Sequence, residues 1–87
     1  MKILEIKEIV RKDVPIYYRR VFTGVAVMDI LGQQLDKRIE FAIETRPTGA
    51  KDVSVSMVDT VDYPLVTLQK ELRTAIVELD KAGKLPC

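Results

Sequence analysis

LVTLQKELRTAIVELDKAG, residues 65–83, carries Leu65, Leu68, Leu72, Ile76 and Leu79 at helical spacing, with Ala75 on the flank, and stops at Gly83. A repeat of three to four residues turns one stripe of a helix toward a core. The chain before it keeps a different beat. In KRIEFAIET (37–45), Ile39, Phe41 and Ile43 alternate with Arg38, Glu40 and Glu44; in DVSVSM (52–57), Val53, Val55 and Met57 alternate with serines. A repeat of two turns one face of a strand inward. The switch falls near Pro64, whose missing donor is harmless at a helix start. Asp62 complements the positive helix end, and Thr67 competes as a cap, so the helix starts within 63–68 and runs over about 64–82. Gly83 suits the left-handed position after the last turn, and Pro86 stops continuation.

Working outward, four strands precede the helix. The last two cover about 35–46 and 51–59, joined by the turn formers Pro47-Thr48-Gly49. IYYRRVFTGVAVMDIL (16–31) is rich in β-branched and aromatic residues and reads as one long strand, or as two strand pieces meeting at a bulge or bend at Gly24, with a turn at Gly32-Gln33-Gln34. ILEIKEIVR (3–11) is ambiguous. Ile3, Ile6 and Val10 would line a helix, while Leu4, Ile6 and Val10 would line a strand with Glu8 as the exception. Its length and β-branched content favour a strand, and Pro15 follows at a bend. The expectation is a single α+β domain over 1–87: a four-stranded antiparallel meander with one C-terminal helix on one face, ββββα.

At 87 residues, 47% apolar and 31% charged, the chain has the composition of a folded domain. No apolar run approaches the roughly 18 residues that span a bilayer, and charges interrupt the N-terminal segment where a secretory signal needs continuity. No membrane partner or export is expected. The single cysteine, Cys87, allows no internal disulfide and fits a reducing cytoplasm. There is no histidine, so the commonest general base near neutral pH and the commonest transition-metal ligand are missing. Net charge is +1, but residues 1–51 hold ten Lys/Arg against seven Asp/Glu, and residues 52–87 hold four against six. A mildly basic sheet portion permits a polyanion partner without demanding one.

Three constellations bear on chemistry. Tyr17-Tyr18-Arg19-Arg20, with Phe22, could stack bases and neutralise phosphates. With Arg38, Arg46 and Lys51 it makes a candidate nucleic-acid surface: Tyr17, Arg19, Arg20, Arg38, Arg46 and Lys51. The competing reading is one aromatic set in the core and arginines in solvent. Arg46-Pro47-Thr48-Gly49-Ala50-Lys51 could hold a phosphate, or be a plain hairpin turn with two surface cations. Asp59 and Asp62 could bind a hard cation, or merely suit a helix start. No serine, threonine or cysteine has an activating base, so no enzyme, cofactor, metal or small-molecule ligand is expected.

The second strand is apolar on both faces. Val25, Val27 and Leu31, with outward Ala42 and Val58, would form a patch that one helix cannot cover, and a homodimer is the expected solution. The competing reading is cover from within the monomer. In element order the chain resembles the small ββββα domains of the PC4, Pur and Whirly single-stranded nucleic-acid binders. In those families a curved sheet carries basic and aromatic residues, and dimerisation is usual. The likeness is one of topology, and no functional residue is carried over from it. The expected role is a small non-enzymatic interaction module that self-associates through the open sheet face, the alternative being a nucleic-acid-binding accessory protein.

Overall fold

The computed structural model describes residues 2–13 and 18–86. Strands β1 (Lys2–Lys12), β2 (Arg19–Ile30), β3 (Gln33–Thr45) and β4 (Lys51–Met57) form one antiparallel sheet in the order β1-β2-β3-β4, followed by helix α1 (Leu65–Lys81). This is the expected ββββα meander. Tyr17, Cys87 and the bend at Pro15 lie outside the described residues. Phe22, Ala26, Met28 and Ile30 of β2, Ile39, Phe41 and Ile43 of β3, and Val55 of β4 meet Leu68, Leu72 and Ile76 of α1 in one core. The rings of Phe22 and Phe41, paired across β2 and β3, stack with centroids 5.1 Å apart. Leu65, expected in the helix stripe, is exposed instead, because it stands at the first turn beside Met57, Val58 and Val61, past the end of β4.

Strand β1 resolves the ambiguous stretch in an unexpected way. Its ladder with β2 shifts register between Ile3 and Glu5 and again between Lys7 and Val10, and Glu8 takes a positive φ of 53°. Each bulge inserts one residue and resets which side chains face inward. Ile3, Ile6 and Ile9 therefore all pack on the core, while Leu4 and Val10 are exposed. Gly24 does not break β2. It lies opposite the second bulge, where an added Cβ would stand 3.3 Å from the Lys7 carbonyl oxygen. The glycine admits the bulged backbone of its neighbour.

The connections also differ in detail from the sequence reading. β2 ends at Ile30, because Leu31 (φ 53°) and Gly32 (φ 79°) make a two-residue turn with both φ positive, and Ile30 pairs with Gln33. Gln33 and Gln34 are consequently strand, not turn. At the β3–β4 turn the Gly49 N–H donates to Arg46 O at 2.9 Å and Gly49 has φ 89°. β4 stops at Met57, two residues early, because Arg38 draws Val58 and Asp59 into a bend: its carbonyl accepts from both of their N–H groups. α1 ends in a paired cap, Gly83 N–H to Asp80 O and Lys84 N–H to Leu79 O, with Gly83 at φ 69°. On the free side of β4, Gln69 Nε2 donates to the Val55 carbonyl at 3.3 Å.

Candidate functional site

α1 covers one face of the sheet and leaves the other open. Strand register assigns the open face residue by residue. β1 contributes Lys2, Glu5, Lys7, Val10 and Lys12; β2 contributes Arg19, Val21, Thr23, Val25, Val27 and Asp29; β3 contributes Gln34, Asp36, Arg38, Glu40, Ala42 and Glu44. Three rows lie side by side: one mainly cationic, one largely apolar, one mainly acidic. β4 adds Asp52, Ser54 and Ser56.

Two ion pairs cross the middle row. Lys7 Nζ lies 3.4 Å from Asp36 Oδ2, and Lys12 Nζ lies 3.4 Å from Glu40 Oε2, each joining β1 to β3 over β2. Long side chains cover apolar neighbours with their methylene stems. This accounts for Val21 and Val27 at only 8% and 5% exposure on a face without a second layer. The members of both pairs are 43–50% exposed, and pairs of that kind contribute about 0–1 kcal/mol. They are straps that can be re-paired at little cost.

The candidate nucleic-acid residues do not converge. Arg19 pairs with Glu44 at 3.0 Å and Arg46 with Asp52, near one end of the sheet. Arg20 and Lys51 lie on the opposite, helix-side face, where both hold Asp80 of α1, at 3.2 and 2.9 Å. Arg38 grips Asp59 with Nε and Nη2, the shortest contact being 2.7 Å. Each of these five cations thus has a carboxylate within the chain. Lys51, by its hydrogen bond, and Arg20 hold the Asp80 carboxyl below its ordinary range despite partial burial. Asp59 accepts from the Arg38 guanidinium and from the Arg38 backbone N–H, which brings its pKa down to about 2 and raises that of Arg38.

The expected interface residues are dispersed as well. Val27 and Ala42 are buried, Val25 is half-buried and Val58 is exposed at the bend after β4. Leu31 is not on the face at all. It forms the tip of the β2–β3 turn at 96% exposure, because the strand ends one residue before it. Asp59 is committed to Arg38 and Asp62 is exposed; among the described residues no group of three His, Cys, Asp or Glu could hold a metal ion. No helix there is long and apolar enough to cross a membrane. Sequence reasoning missed Asp80 as the anchor of two cations and missed the row arrangement. The alternation of charge along 2–12 and 34–44 was the available signal, but it needs the register to be read.

Residues 1–81 match the model of the BB-0187 family. The chain belongs to the BB-0187 family. The matched span takes in all four strands and α1 through Lys81, so the strapped open face and the Asp80 anchor both lie within the BB-0187 match. No curated protein and no solved structure matches the chain.

Proposed function

We propose that this chain is a small non-enzymatic interaction module that self-associates as a homodimer through its open sheet face. The observation that carries this reading is the order of the three rows: mainly cationic on β1, largely apolar on β2, mainly acidic on β3, with Glu5 and Arg38 as the exceptions in the outer two. A two-fold axis parallel to β2 lays the lysine row of one copy over the acidic row of the other, with the valine rows meeting between them. Such a surface is complementary to itself, which an isologous contact requires. Lys7 and Lys12 then exchange an acid of their own chain for the same acid of the second copy, so no charge loses its partner. A polyanion laid on the same face would meet the acids of β3 and would compete with an internal carboxylate for each of Arg19, Arg38 and Arg46.

Sedimentation at high micromolar concentration tests it. A dimer is expected, weakened in the Lys7→Glu/Lys12→Glu variant. Mixing that variant with Asp36→Lys/Glu40→Lys should restore a heterodimer. A wild-type monomer at that concentration overturns the reading. A salt-sensitive shift of single-stranded DNA at about 50 mM salt would favour the nucleic-acid alternative.

A further inference from the structure

We infer that the solvent face of α1 docks an acidic, amphipathic segment of a partner protein. Among the described residues half of the cations are spent on ion pairs, and those of the helix are not. Among the described residues, Lys70, Arg73 and Lys81 have no carboxylate within 4.0 Å. Helical spacing puts them on one stripe with the exposed Val66 and Val77, opposite the buried Leu68, Leu72 and Ile76. Lys70, Arg73, Val77 and Lys81 line a shallow groove of about 390 Å³, completed by Thr74 and Glu78, so its cations outnumber its acids. Lys70 and Arg73 stand three residues apart, a spacing at which like charges repel. The one helix acid near the sheet cations, Asp80, is turned inward to Arg20 and Lys51 and does not relieve that repulsion.

The chemistry of the occupant follows from the stripe. Acids must meet three cations, and apolar groups must meet Val66 and Val77, which lie 11 positions and therefore about 16 Å apart along the axis. An acidic helix with two apolar anchors at that spacing supplies both. A second copy does not, since an antiparallel pair about a two-fold would set the cationic flank of one helix against that of the other. The stripe lies on the layer away from the open sheet face, so it stays accessible whether or not that face is occupied.

The test is fluorescence anisotropy on the full chain with a synthetic acidic helical peptide carrying leucines 11 positions apart and glutamates between them. Parallel arms use the same peptide with lysine for glutamate, a short single-stranded oligonucleotide, and vesicles of phosphatidylserine and phosphatidylcholine. The acidic peptide should bind and weaken as salt rises. Lys70→Glu/Arg73→Glu should lower its affinity by about tenfold or more, Val77→Asp should lower it too, and Lys7→Glu/Lys12→Glu should leave it unchanged. Circular dichroism confirms that each variant is folded. No binding by the wild type, equal binding by Lys70→Glu/Arg73→Glu, or tighter retention of the oligonucleotide or vesicles than of the peptide would each overturn the proposal.

Discussion

Arg38 and Asp59 are locked at both ends of the arginine. The guanidinium reaches Asp59 Oδ1 at 2.7 Å, and the Arg38 backbone N–H donates to Asp59 Oδ2 at 2.9 Å. One carboxylate thereby fixes the bend that carries the chain from β4 toward α1. Its pKa, brought down to about 2 from an ordinary 3.8, makes the lock pH-dependent. A depressed folded-state pKa adds stability that is complete above the unfolded value and is lost as pH falls through the folded one. Urea midpoints should therefore fall between about pH 4 and pH 2, and Asp59→Asn should flatten that slope while lowering the midpoint at pH 7. An unchanged slope would separate the lock from acid stability.

Asp80 ties the end of α1 to two different strands. Asp80→Ala should destabilise by about 1–2 kcal/mol, since two charge-assisted bonds are lost and Arg20 is left partly buried without its acceptor. Lys12→Ala, which removes one exposed strap, should cost less than about 0.5 kcal/mol. Chemical denaturation of the two variants distinguishes an anchor from a strap.

Leu31 holds a positive φ at the tip of the β2–β3 turn with its side chain in solvent. A non-glycine residue in that region costs about 1 kcal/mol or more, and a turn of this kind prefers Asn-Gly. Leu31→Asn should raise stability by about 1 kcal/mol, read as a higher melting temperature.

Gly24→Ala should act in the opposite direction. Its Cβ would press on the Lys7 carbonyl at 3.3 Å, and backbone yields less readily than a side chain. A loss of about 1–2 kcal/mol is expected, with amide exchange faster along β1 than along β4.

The fold was legible wherever side chains kept a clean period. Residues 37–45, 52–57 and 68–79 each obey one beat, and each became the element that beat implies. Residues 3–11 did not, and the reason is physical. Two bulges give β1 an inward set of Ile3, Ile6 and Ile9, so a true strand wears the three-residue spacing of a helix. The candidate site was less legible because ion pairing depends on register. Lys7 and Asp36 are 29 positions apart, and only the β1–β2 and β2–β3 ladders bring them to the same place. Arg20 and Lys51 looked like free cations until Asp80 arrived from the far end of the chain.

The Gln69 side chain that takes up the Val55 carbonyl bears on how large an assembly can become. A sheet adds strands by offering a straight row of unfilled backbone groups. Here one border is kinked twice by inserted residues, and the other has an acceptor already filled by the chain's own amide. Accretion of further copies along the hydrogen-bonding direction is hindered on both sides. The homodimer proposed above, formed across the open face and not along a strand edge, is a geometry that closes at two and does not lengthen into a fibre.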